Sequence, residues 1–577
     1  MKANRLILAG AAVAVALGWW TLGVAADTRT FDTRHLKHVL LLSIDGMHAV
    51  DFYNCANGIA GANDGNPYCP NLAALGQTAI NYVAAVSSKP SDSFPGMAAL
   101  GTGGTPKSTG LYYDVAYDRT LDPPAETTGT GLAGGTCTPG AAPTGTTTDN
   151  DQGLDINDTL LNGGAPGAGL TEGSAASIDV NHLARDPNNG CAGVWPWNFV
   201  RTNTIFGVAH NAGLYTAWID KHPSAAFLNG PGSGHNIDDL YTPEVDSNVV
   251  ALPGVTTVTG ASCSTIRDTT NLSGWGSSFA NIQCYDQIKV NALLNQIAGR
   301  HHSGHRSAVV PAIFGMNFQS VYFGQSLVES SSASGGYQNA AALPTPNLLN
   351  EIQYVDAAIG SIVSALKEAG IYDDTVVIVT AKHGESPIDP TLYVADGANS
   401  PATLLGSAIP ASESPLTPGG IGATEDDVSV LWLAPGQSVT AAVQLLETNA
   451  SLIGLGQIFY GPSLALNYNI GGVGPGLDPR SPDIIVTPNV GITYVGPGGA
   501  IGDHGGFGHD DTNVIMMVAN PRFKAQTVSN ITTTMQVAPT ILEALGLDPQ
   551  ALDAVRQEGT PVLPEVEAQL ENQNSRW

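Results

Sequence analysis

Five places in the sequence hold side chains able to do polar chemistry. Asp45 follows the apolar run HVLLLSI, Asp220 follows LYTAWI, and Lys382-His383 follows TVVIVTA. Ser93 stands in the turn-rich stretch KPSDSFPG, and His504 in the Gly-rich stretch GDHGGFGHDD. Carboxylates and imidazoles are ligands for zinc, manganese or iron, and a serine hydroxyl beside such an ion is a nucleophile. Taken singly, each residue also has an ordinary reading. Asp45-Gly46 suits a turn, Ser93 a loop hydroxyl, and His383 a cap or core position; Asp220 suits a turn or cap, and Lys221 either a phosphate contact or a solvated side chain. His509 competes with His504 for the same role, while His301, His302 and His305 read as a solvated loop. The order of the five places along the chain carries the functional reading.

The elements that must position them are legible from periodicity. HVLLLS and TVVIVT are short apolar runs that suit buried parallel strands, and Val309–Phe318 is a third. Leu72–Ala85 mixes a helical pattern with a strand-like finish. Asn203–Gly213 has helical spacing and leads into the strand candidate LYTAWID. Asn347–Gly370 places Ile352, Val355, Ile359, Ile362, Val363 and Leu366 on one helical face and ends on glycine. Asp483–Val486 and Asn513–Ala519 are further strand candidates, and Thr533–Leu545 reads as the last good helix. Strands alternating with helices predict an α/β fold, a mostly parallel central sheet with helices on both faces. Asp45, Asp220, Lys382 and His383 then fall at carboxyl ends of strands, where such sheets bind ligands.

In this order the motifs resemble the alkaline phosphatase superfamily, and within it the type I phosphodiesterase and nucleotide pyrophosphatase branch. HVLLLSIDGM is similar to its opening strand, with Asp45 as a metal ligand. KPSDSFPG is similar to its nucleophile loop, with Ser93 as nucleophile and metal-bound residue. VDAAIGSIVSALKEAGIYDDTVVIVTAKHGES follows its helix and strand into a metal motif, giving His383 as a ligand; RSPDIIVTPNVG and DHGGF lead to a last ligand, His504. The resemblance implies a hydrolase of small phosphate esters working through a phosphoseryl intermediate and divalent metal, zinc first, with manganese or iron as alternatives. Cations neutralise the ester oxygens and clamp the attacking and leaving groups. Two positions depart from the pattern. The family's Asp-His pair is Lys382-His383 here, and AIFGMNFQSVYFGQS offers Asn317 and Gln319 where an Asp and a following His are usual. These departures predict fewer than two tightly held metals, with Asp45, His383, His504 and Asp220 as ligands and Lys382 as a catalytic cation. A sulfate ester or phosphonate hydrolase, and an exported binding protein on a decayed scaffold, are the competing readings.

Composition bounds the rest. With 22 basic against 50 acidic residues the formal charge is −28, which excludes a nucleic-acid backbone as partner. Residues 1–26 read as an export signal, with Lys2 and Arg5 before an apolar run and Val24-Ala25-Ala26 at the cleavage site. The expectation is a secreted or periplasmic protein, free of the membrane after cleavage. Six cysteines suit disulfides in that compartment. Cys55 with Cys69, Cys263 with Cys284, and Cys137 with Cys191 are one arrangement among those the sequence allows. The expected organisation is a catalytic domain over 27–548, carrying loop-rich inserts at about 120–200 and 223–310, then a tail over 549–577. Trp195, Trp197 and Trp218 suit packing or base stacking.

Overall fold

A computed structural model describes residues 36–128, 131–149, 178–245, 252, 254–264, 275–408, 424–434, 436–496 and 500–574. The expected export signal lies outside them. His38–Ile44 (β1) sends Val39 and Leu41 into one core and Leu40, Leu42 and Ile44 into the other. Strand residues alternate sides, so an unbroken apolar run is what burial on both faces requires. Burial on both faces recurs in Ala217–Ile219 (β3), Ile313–Phe318 (β5), Thr375–Thr380 (β6) and Met516–Ala519 (β7), while Ala79–Tyr82 (β2), Asp239–Tyr241 (β4) and Gln526–Val528 (β8), towards the sheet's margins, are only partly buried.

These form one 8-stranded sheet in the order β8-β2-β7-β6-β1-β5-β3-β4. β1 lies between β5 and β6 and runs parallel to both, with Val39 opposite Ile313 and Val376. Only β7 runs against its neighbours. The mostly parallel α/β sheet expected from the sequence is therefore present. Ser93–Thr102 (α1) is buried along its whole length, while Pro346–Glu368 (α3) covers the opposite face with Ile352, Val355, Ile359 and Ile362. Val537–Ala544 (α4) packs beside α1.

Three segments differ from the sequence reading. Phe279–Ile297 (α2) is a 19-residue helix within the stretch taken as an insert. It buries Gln283, Asp286, Gln287 and Lys289 together with Leu293 and Ile297, so it lacks the clean apolar stripe that would have marked it. Ile484–Pro488 is a strand, but in a separate four-stranded antiparallel sheet with Thr424–Glu425, Ser429–Leu431 and Leu455–Tyr460. Beyond α4, helices Asp553–Glu558 and Val566–Asn574 follow, and Leu552, Val555, Leu563 and Val566 join the core. Disulfides link Cys55 to Cys69, Cys137 to Cys191 and Cys263 to Cys284. Among the described residues no helix is long and apolar enough to cross a membrane.

Candidate active site

Four adjacent strands, β6, β1, β5 and β3, end on one edge of the sheet and deliver Lys382-His383, Asp45, Asn317 and Asp220 there. Ser93 arrives from the side as the first residue of α1. Its predecessor Asp92 is the cap, accepting from the Phe94 amide. Gly96, one turn on, lets α1 lie against the Lys382 backbone; a Cβ there would stand 2.5 Å from the Lys382 carbonyl oxygen. His504 is carried by a loop that pairs with the segment before Ser93: the Gly505 amide donates to the Ser91 carbonyl and the Ser91 amide to the Gly506 carbonyl.

Ser93 Oγ is the meeting point. It lies 3.2 Å from His383 Nε2 and accepts from Lys221 Nζ at 3.0 Å. His383 Nδ1 faces the Gly384 carbonyl at 2.9 Å, which assigns the ring proton to Nδ1 and leaves Nε2 to accept from the serine hydroxyl. Burial, and then the adjacent His504 imidazole, pull the His383 pKa down to about 3, so the ring is neutral at physiological pH. Ser93, Asp220, Lys221, His222, Phe227 and Lys382 line a recess of about 20 Å³.

Asp45 and Asp220, expected as metal ligands, surround the Lys382 ammonium at 3.1 and 3.9 Å. Asp45 Oδ2 also accepts from Asn317 Nδ2 at 2.8 Å and Gln319 Nε2 at 2.5 Å. Burial alone would raise the Asp45 carboxyl; Lys382 first, then His383 and Lys221, hold it well below the usual carboxylate range. Asp220 Oδ2 accepts from Trp218 Nε1 at 2.8 Å, so Trp218 packs in the core and fixes that carboxylate. Behind this layer buried Lys289 pairs with Asp286 at 3.1 Å and donates to the Asn317 carbonyl at 2.7 Å.

The residues divide in how they fit a divalent ion. Around Asp45 three N–H donors already converge on one carboxylate oxygen, and the family's second carboxylate is a lysine. That end does not fit a cation. At the other end His383, Glu385 and His504 offer ligand atoms within 4.8 Å of one another. Two imidazoles and a carboxylate fit one zinc-class ion. The fit requires a turn of one ring, because His383 and His504 stack with centroids 3.9 Å apart and planes 19° apart, and imidazole lone pairs lie in the ring plane. Burial raises the Glu385 carboxyl well above the usual range, with Asp503 and Asp511 adding to it.

Of the residues picked from the sequence, Asp45, Ser93, Asp220, Lys382, His383 and His504 are thus brought together. His509 is not; its side chain is 81% exposed. Lys221 proves to be a direct partner of Ser93 rather than a solvated side chain. Glu385, two residues after His383, was missed, and the HxE spacing was the one signal for it. His301 and His302 are not a solvated loop either, since His302 is buried against Asp239.

Two family models match the sequence. One, described as type I phosphodiesterase/nucleotide pyrophosphatase, covers residues 39–147, including Asp45 and Ser93. The other, described as sulfatase, covers residues 200–417, including Asp220, Lys221, Lys382 and His383. No curated protein matches. Among solved structures, an inactive form of murine ectonucleotide pyrophosphatase/phosphodiesterase 5 in complex with AMP is 11% identical, with 89% of this chain and 96% of that one covered and a TM-score of 0.50. Its human counterpart is 11% identical over 88% and 95%, with a TM-score of 0.49. Phosphonoacetate hydrolase from Sinorhizobium meliloti, in complex with phosphonoformate, is 13% identical over 89% and 96%, with a TM-score of 0.48. The sequence models and the shared fold agree on the alkaline phosphatase superfamily, and the phosphodiesterase match indicates a phosphoester hydrolase.

Proposed function

We propose that the chain is an exported, metal-dependent hydrolase of small phosphate esters, with Ser93 as nucleophile. The observation that carries this is the convergence of Lys221 Nζ and His383 Nε2 on Ser93 Oγ, at 3.0 and 3.2 Å, on the ligand-binding edge of the sheet. His383, Glu385 and His504 would hold one divalent ion, zinc first. When bound, that ion supplies positive charge against the phosphoryl oxygens. The remaining work falls to the chain. With Nε2 committed to the ion, Ser93 Oγ keeps Lys221 as its partner, and that ammonium favours the alkoxide. Lys382, fixed by Asp45 and Asp220, offers a second positive charge to the transferring group and does so without reorganising. Ser93 Oγ gives up its proton to solvent and bonds to phosphorus as the ester oxygen departs and takes a proton from water to leave as the alcohol; water then attacks the phosphoserine, its proton returning to Ser93 Oγ and phosphate or a monoester being released.

Nitrophenyl phosphate, its bis-ester and nucleotides, assayed across zinc, manganese and iron, test the reading. Expected are turnover and a phosphorylated Ser93 peptide in acid-quenched protein. No cleavage under any metal would sink it. A sulfate or phosphonate ester is the second reading, favoured by one observation: the sulfatase match spans both lysines of the site. Faster turnover of a nitrophenyl sulfate than of the phosphate would select it.

A further inference from the structure

At the amino end of β4, away from Ser93, Asp239 meets the turn that follows α2. Its Oδ1 lies 2.5 Å from His302 Nδ1 and 3.2 Å from His301 Nε2. Its other oxygen, Oδ2, accepts from Gln296 Nε2 at 3.0 Å and from the His302 amide at 2.8 Å. Those two donors lock the carboxylate so that Oδ1 points at both rings. His302 is further fixed by stacking on Tyr241, centroids 4.7 Å apart, and His301 Nδ1 contacts Ser303 Oγ at 3.1 Å. Outer contacts of this kind, on the oxygen or ring nitrogen that does not face the centre, are what orient metal ligands.

We propose that Asp239, His301 and His302 form a second metal site, taking one zinc-class divalent ion and serving stability rather than turnover. Their three ligand atoms lie within 4.8 Å of one another. Ligands at 2.0–2.1 Å around a tetrahedral ion stand about 3.3 Å apart, close to the His301–Asp239 separation. To match, the His302 pair opens by less than an ångström and one ring turns, because the His301 and His302 rings lie with centroids 4.0 Å and planes 38° apart. Asp239 and His302 are buried while the His301 side chain is 18% exposed, so an ion has a route in and dry ligands to meet.

Cobalt(II) titration of the metal-stripped full chain, read by its visible absorption, tests this alongside elemental analysis after zinc loading. Parent, His301→Gln, Asp239→Asn and His504→Ala are compared. His301→Gln is expected to bind one equivalent fewer than the parent, to show a smaller rise in melting temperature on adding zinc, and to keep its ester-cleaving rate within about 2-fold. His504→Ala should keep the His301-dependent equivalent. Equal metal uptake by parent and His301→Gln, with Asp239→Asn agreeing, would overturn the proposal. Because uptake is counted without turnover, failure of the phosphatase reading leaves this result intact.

Discussion

Lys382 stands where a metal-binding carboxylate is usual and brings a positive charge of its own. Its ammonium is held between Asp45 and Asp220, with both carboxylates buried, so the charge is fixed before any substrate arrives. Lys382→Ala is expected to lower kcat at least ~100-fold, the usual cost of losing one preorganised electrostatic group. It also strands two carboxylates, a loss on the order of 3–5 kcal/mol, so rates belong well below the variant's melting temperature. An active Lys382→Ala enzyme would remove this residue from the mechanism. Ser93→Ala, by contrast, should abolish turnover while leaving the chain folded, since it removes one hydroxyl whose partners, Lys221 and His383, belong to the site. Activity within a few-fold of the parent would move the nucleophile elsewhere. At this scale the convergence of Asp45, Ser93, His383 and His504 was legible from their order along the chain, whereas the metal-ligand reading of Asp45 was not sound, because Lys382, Asn317 and Gln319 already occupy its Oδ2. Lys221 stayed open between a phosphate contact and a solvated side chain, since a lysine after a strand usually reaches water, and HHSGHR hid the burial of His302 because burial there comes from Asp239, far away in sequence.

The elements set the distances between those residues, and α1 shows how tightly. Gly96 allows the helix to rest on the Lys382 carbonyl, so Ser93 and His383 are spaced by a backbone contact rather than by side chains. Gly96→Ala places a methyl 2.5 Å from that oxygen, and helix or strand end must shift. We expect a destabilisation of roughly 1–3 kcal/mol, as for other overpacked sites, and a fall in kcat of at least 10-fold, about the effect of a misplaced reacting group. Denaturant melts and steady-state rates measure both. A stable variant with parental kcat would mean that α1 does not set the Ser93–His383 spacing. Central strands were readable because burial on both faces leaves an unmistakable apolar run. Helix α2 was not, since Asp286 and Lys289 satisfy each other in the interior, and the four-stranded sheet was hidden because its strands are short and interrupted by long connections.

Across the whole molecule, a chain with so few basic residues spends several of them on one seam. Arg119 pairs with Asp483, Arg201 with Asp478 and Arg480 with Asp118, tying the four-stranded sheet's segment to the main body beside stacked Tyr112 and Tyr468. Covalent ties add to this. The Cys137–Cys191 bridge closes a loop of separation 54, worth roughly 4 kcal/mol through the unfolded state, so a Cys137→Ser/Cys191→Ser protein should melt several degrees lower. Asp478 is the hub of the seam. It accepts from Arg201 Nη1 and Nη2, Tyr112 Oη and Asn469 Nδ2. Burial works to raise its carboxyl pKa, but the Arg201 hydrogen bonds and charge outweigh burial and hold it below the usual range. A carboxyl depressed on folding stabilises the native state fully above its unfolded value, near pH 4, and loses that contribution as pH falls through the folded value. Arg201→Met removes the largest source of the depression, leaving the Tyr112 and Arg480 hydrogen bonds. The variant is therefore expected to melt below the parent at pH 7, with the gap narrowing steadily below about pH 4 as Asp478 protonates in both proteins. Paired melting curves from pH 7 to pH 2 read this directly; a gap unchanged in acid would mean that Arg201 stabilises the seam by packing on its neighbours and not through the Asp478 charge.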